Sequence, residues 1–179
     1  MRVLVFTILA AVVCVQSKTP EGYIVNTPAG KAYRVMYQAQ PWTRARDECK
    51  ENGGGALAVP KSQDEFEFIQ KLVRGMSYPL ITGTQYKLLV WLGISNLESF
   101  TTWRNVDGED INETGFSTWA SSDVRFSDDP REPHCAGMDA RNPGLRYYWC
   151  NQQQPYICQI QLTANGATDT NIVNAAGEP

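Results

Sequence analysis

The sequence predicts one α+β domain held by two disulfides behind a secretory leader. Three observations predict it. Four cysteines remain once the leader is removed: Cys49 stands near the start of the folded region, and Cys135, Cys150 and Cys158 crowd its end. Two segments with helical periodicity fill the first part of the chain. A continuous apolar run, Leu88 to Ile94, lies midway and contains Trp91-Leu92-Gly93-Ile94.

The leader comes first. Arg2 precedes Val3 to Val15, a run apolar apart from Thr7, which Gln16-Ser17-Lys18 ends. A positive start, an apolar core of about a dozen residues and a small-residue exit are the parts of a signal peptide. The run is shorter than the roughly 20 apolar residues a membrane span needs. A buried first strand or an uncleaved anchor is the alternative. Cleavage is expected after Ser17, giving residues 1–17 as leader, 18–161 as domain and 162–179 as a flexible polar tail. No later segment could hold the chain in a membrane, so a secreted, extracellular product is expected. Loss of Arg2 and Cys14 takes the formal charge from −3 to −4 and leaves an even number of cysteines. A mildly acidic chain without a basic block offers no footprint for nucleic acid or an anionic membrane. Asn112-Glu113-Thr114 is the only glycosylation sequon, in a stretch where a surface glycan is harmless.

Residues 18–30, with Pro20, Gly22, Pro28 and Gly30, read as an irregular lead-in. Lys31 to Gln38 alternates Tyr33, Val35 and Tyr37 as a strand does. After Pro41, the helical spacing of Trp42, Ala45 and Cys49 predicts a short helix with Cys49 on its buried face, stopped by Gly53-Gly54-Gly55. Ala56 to Val59 is a short strand closed by Pro60. Ser62-Gln63-Asp64-Glu65 is a capping box, and the stripe Phe66, Ile69, Val73, with Phe68 and Leu72 beside it, predicts a core-facing second helix. Leu88 to Ile94 predicts a central strand buried on both faces, in which Gly93 marks close backbone approach. Thr101 to Arg104 reads as a strand ending at the turn Asn105-Val106-Asp107-Gly108. Residues 105–134 form a long polar loop punctuated by Phe116, Trp119 and Phe126. Tyr147 to Cys150 and Pro155 to Ile160 are the last strands, and the chain from Thr163 is small and polar.

Five of these elements, in order, resemble the C-type lectin-like domain. Trp42 to Cys49 is similar to that family's first helix, Gly55 to Pro60 to the strand after it, and Ser62 to Phe68 to the start of its second helix. Trp91-Leu92-Gly93-Ile94 resembles its Trp-Ile-Gly-Leu core signature. Phe100 to Gly108 precedes Trp119, and Cys150 precedes Cys158, as in family members. The arrangement also resembles single-domain lectins of insect haemolymph. The resemblance covers Tyr23 to Ile160 and implies two helices flanking antiparallel sheets with a long irregular loop. Four cysteines allow three pairings, and the resemblance implies Cys49 to Cys158 and Cys135 to Cys150. Zinc bound by four thiolates is disfavoured, because there is no Cys-x-x-Cys knuckle and the expected compartment is oxidising.

The same resemblance implies a sugar site built on calcium, a cation wanting six to eight oxygen ligands. The family's Trp-Asn-Asp run falls here on Leu145, Arg146 and Tyr147, so a guanidinium and a phenol replace an amide and a carboxylate. Its Glu-Pro-Asn triplet has only a displaced echo, Glu132-Pro133-His134, or Asp123-Val124-Arg125 when counted from Trp119. The standard ligand pattern is therefore absent, and Asp128, Asp129 and Glu132 are the carboxylates left to hold calcium. His134, the only histidine, is a bystander beside Cys135 or a donor to a ligand hydroxyl. Along Arg146-Tyr147-Tyr148-Trp149, alternate residues share a face. Trp149 is expected in the core, leaving Arg146 and Tyr148 outward beneath the loop, where they suit a sugar ring or an anionic group.

Two functions compete. One is secreted recognition of glycans or microbial surface polysaccharides in innate immunity, with degenerate calcium ligands. The other is a calcium-independent module that binds a protein through Tyr86, Trp103, Trp119 and Phe126. Catalysis is disfavoured: one histidine and no Gly-x-Ser-x-Gly elbow make no triad, and adjacent Asp128 and Asp129 do not flank a glycosidic bond.

Overall fold

The computed structural model describes residues 19–53, 55–120 and 132–162. The expected leader, Phe126, Asp128, Asp129 and the expected tail beyond Leu162 lie outside the described residues. Eight strands join one sheet in the order β1-β2-β8-β4-β6-β7, with β3 paired to β8 and β5 to β4. They are β1 (Ile24–Asn26), β2 (Lys31–Gln40), β3 (Ala56–Leu57), β4 (Val90–Ser95), β5 (Arg104–Asn105), β6 (His134–Met138), β7 (Arg146–Trp149) and β8 (Gln154–Gln161). Two helices, α1 (Trp42–Glu51) and α2 (Gln63–Arg74), pack on the sheet. The pairings are antiparallel except β4 with β8, where Trp91 lies beside Tyr156 in parallel. The sheet is thus mixed rather than purely antiparallel.

Strand β4 is buried on both sides and divides the core in two. Val90, Leu92 and Ile94 join Phe66, Ile69 and Val73 of α2 in the larger cluster. Trp91 joins Trp42, Ala45 and all four cysteines in the smaller. Each indole in that cluster has a partner: Trp42 donates to the Leu92 carbonyl at 2.7 Å and Trp91 to the Gln40 carbonyl at 3.0 Å. Gly93 meets the expectation of close approach, since a Cβ there would stand 2.7 Å from the Leu57 carbonyl oxygen.

Both disulfides join the expected cysteines. Cys49–Cys158 ties α1 to β8 across 109 residues, and Cys135–Cys150 ties β6 to the end of β7 across 15. On the chain-entropy account such loops stabilise by about 4 to 5 and about 3 kcal/mol.

The capping box forms only in half. Ser62 Oγ accepts from the Glu65 amide at 3.2 Å. The Glu65 carboxylate turns inward instead of reaching back to Ser62. One oxygen accepts from the Lys61 amide at 2.8 Å, and the other from Lys31 Nζ at 2.6 Å and from the Tyr33 hydroxyl. Burial, then the carboxylate, push the Tyr33 phenol above its ordinary value. This hub sews α2 to β2. The strand expected at Thr101 to Arg104 is shifted, because only Arg104 and Asn105 pair with β4.

Lys31→Met would leave the Glu65 charge buried without its cation, at a cost of about 3 to 5 kcal/mol in urea unfolding. Gly93→Ala should cost about 1 to 3 kcal/mol, because the obstructing atom is backbone that cannot turn aside.

Candidate functional site

Among the described residues, strand β7 is the last in the sheet and pairs with β6 alone. The register sets His134 opposite Trp149 and Ala136 opposite Tyr147, and on the other face Cys135 opposite Tyr148 and Gly137 opposite Arg146. The expected alternation is therefore present, but its assignment to core and solvent is not. All four residues of β7 are half-buried.

Tyr148, expected to face outward, packs against the disulfide-lined smaller core. Arg146 Nη1 lies 2.6 Å from Asp139 Oδ2, with each side chain 15% exposed. Asp139 also accepts from the Arg141 and Asn142 amides. These bonds hold its carboxyl below the ordinary carboxylate range, although burial opposes them. Gln70 and Arg74 of α2 brace the same turn by donating to the Asp139, Asn142 and Ala140 carbonyls.

The other face carries rings. Trp103 and Trp119 pack at 4.6 Å, each about 6 Å from Tyr147, and the His134 ring meets Tyr147 edge-on at 5.2 Å. Tyr86 stands apart from them, in the segment whose carbonyl accepts from Gln154. Trp149, expected in the core, instead lines a cleft of about 170 Å³ with Glu132, Pro133, Cys150 and Asn151. Its indole N–H donates to the Glu132 carboxylate. Among the described residues, β7 pairs with no strand beyond β6, and Trp149 lies on the same face as Tyr147 and opposite His134. Sequence reasoning found Glu132 but missed Trp149 and Asn151. The signal available was a tryptophan and an amide flanking Cys150, close to a carboxylate beside Cys135.

His134 is not in a surface loop. It opens β6, is 5% exposed, and among the described residues its Nε2 has no hydrogen-bond partner. Burial holds the imidazole below its ordinary value, while the Glu132 backbone and carboxylate act in the opposite direction.

The arrangement does not fit calcium in the slot the family uses. There the half-buried Arg146 guanidinium already neutralises Asp139, and it would repel a divalent ion rather than ligate one. Among the described residues, no three acidic, histidine or cysteine side chains converge on a point that could hold a metal. Asn112 is exposed, with its amide on the Asp110 carboxylate at 3.1 Å.

A histidine whose folded value is depressed stabilises the fold fully above its ordinary value of 6.5. That contribution should be lost as pH falls below 6.5, since the unfolded chain then takes up the proton first. Unfolding free energy measured from pH 7.5 to 5 should decline, and His134→Gln should flatten the decline; parallel curves would contradict this origin.

Residues 38–160 match the family model of the lectin C-type domain. Regenerating islet-derived protein 4 of Rattus norvegicus is 25% identical over 132 residues, covering 72% of this chain and 74% of that protein. Lactose-binding lectin l-2 of Anguilla japonica is 26% identical over 151 residues, covering 80% of this chain and 78% of that lectin. In fold, the C-type lectin CEL-I from Cucumaria echinata aligns with a TM-score of 0.63 at 16% identity, covering 80% of this chain and 97% of that one. With its two disulfides and two helices in place, the chain belongs to the lectin C-type domain family, whose members are binding domains rather than enzymes.

Proposed function

We propose that this chain is a secreted recognition protein that binds glycans of microbial surfaces without calcium. The observation that carries the reading is the cleft of Trp149, Glu132 and Asn151. An indole offers a flat apolar surface to the C–H face of a sugar ring. A carboxylate accepts strongly from ring hydroxyls, and an amide can donate or accept. Locking Arg146 to Asp139 supports calcium independence, because an internally paired guanidinium stands where the resemblance places an amide ligand. The name of the eel relative, a lactose-binding lectin, supports a saccharide ligand. The leader-like segment and exposed sequon, with Asn112 as glycan acceptor, support secretion. The place in innate immunity rests on kinship alone, an analogy from fold to function.

The exposed residues Tyr78 (44%), Leu80 (60%) and Tyr86 (67%) favour a second reading, a protein-binding module. Lys87 Nζ on the Tyr78 carbonyl holds two parts of that segment together.

Retention on lactose-agarose and on mannan beads separates the two readings. The glycan reading expects retention that survives chelator and a loss of about tenfold or more in affinity for Trp149→Ala, about 1.4 kcal/mol. Retention that needs calcium would sink the calcium-free claim, and no retention on any glycan would leave the protein-binding reading in place.

A further inference from the structure

A second cleft, of about 370 Å³, lies between one face of α1 and the turn that follows β5. That volume falls within the roughly 300 to 1,000 Å³ of small-ligand sites. Trp42, Arg46 and Lys50 line it from α1 at four-residue spacing, so they share one helical face. Arg104 of β5, Glu98 and Asp107 also line it.

Two of the cations, Arg46 and Arg104, are placed before any ligand arrives. The Arg46 guanidinium sits 5.8 Å from the Trp42 ring and pairs with Asp47 at 2.8 Å. Arg104 Nη1 donates to the Gly108 carbonyl at 2.8 Å, which fixes it across the turn. Among the described residues, neither Lys50 nor Arg104 has a carboxylate within salt-bridge distance. Asp107 points toward Lys61 at 3.7 Å, so its charge is partly answered outside the cleft.

We infer that this cleft is an anion-selective subsite for an acidic sugar unit, one bearing a carboxylate or a sulfate ester in an otherwise neutral chain. Lys50 and Arg104 take the anionic group, whose oxygens match a guanidinium fork and an ammonium. Glu98 and Asp107 accept from hydroxyls of the same chain, and they repel a densely charged polyanion. The inference rests on the proposed glycan reading but uses residues separate from the Trp149 cleft.

Three dextrans of one backbone test it: unmodified, lightly sulfated and lightly carboxymethylated, each titrated against the full chain at 50 and 150 mM salt. The wild type should bind at least one acidic dextran about tenfold or more tighter than unmodified dextran, with affinity falling as salt rises. The two acidic arms show which group is taken. Lys50→Gln with Arg104→Gln should abolish the preference, whereas Lys71→Gln with Arg141→Gln, an equal change of charge on exposed positions elsewhere, should keep it. Equal loss in both double variants would overturn the site in favour of overall charge, and an unchanged preference in the first would overturn it outright. Trp149→Ala should leave the acid preference intact, so failure of the Trp149 site and failure of this one read out separately.

Discussion

A strand with no solvent face governs this molecule. Because β4 is covered on both sides, whatever packs against it must arrive without a side chain in the way or with every polar atom answered. Gly93 meets the first condition against Leu57 and Val59. Trp42 and Trp91 meet the second by donating their indole N–H groups to backbone carbonyls, one on β4 and one at the end of β2. These two bonds cross between the β2–α1 junction and the central strand, so the smaller core is fixed in register as well as filled. A buried indole N–H left unpaired would cost about 1 to 3 kcal/mol, which makes the pairing a constraint on the chain path.

The candidate site inherits its rigidity from that wall at one remove. Strand β6 pairs with β4, and β7 hangs on β6 as the sheet's edge. An edge strand of four residues has little to hold it, yet four devices do so here. The Cys135–Cys150 bond joins its end to β6, Tyr148 packs on that bond, Arg146 pairs with Asp139, and Gln70 and Arg74 brace the turn behind. Side chains on such a strand can be held within the tolerance recognition requires. Trp149 and Glu132, both half-buried, meet at the end of this strand.

The parts legible in the sequence are those written in period and chemistry. Trp42, Ala45 and Cys49 announced α1, Phe66, Ile69 and Val73 announced α2, and the run through Trp91 announced a strand buried twice. Strand β6 was illegible because His134-Cys135-Ala136-Gly137-Met138 has neither alternation nor β-branched residues. Its smallness follows from crowding: a Cβ on Gly137 would stand 2.4 Å from the Val90 carbonyl oxygen, a fact about the neighbour and not about the segment. In sequence Glu65 has the spacing of a local cap, since sequence shows only near partners, whereas Lys31 and Tyr33 reach it from more than 30 residues away. Along β7 the alternation was right and the facing wrong. Parity is a property of the strand, but which face is covered depends on what packs on each: Tyr148 meets the smaller core, and Tyr147 meets Trp103 and Trp119.

On the proposed calcium-free reading, the loss of the ion has a consequence for binding strength. A bound calcium with open coordination positions can order a loop and ligate sugar hydroxyls at once, since it takes six to eight oxygens. The Arg146–Asp139 pair does only the first of these, because the guanidinium's partner is internal and its side chain largely buried. On the proposed reading, hydroxyl recognition then falls to a ring stack and a few hydrogen bonds worth about 1 kcal/mol each. A handful of these sums to roughly 4 kcal/mol, the free energy of a millimolar site. Useful capture of a surface would therefore come from repetition, on a ligand that presents many equivalent sugars, or on several copies of the chain, where a second contact is made at high effective concentration. On that reading, a cation that cannot dissociate would give a recognition surface whose shape does not vary with the calcium around it, and the corresponding cost would be weak single contacts.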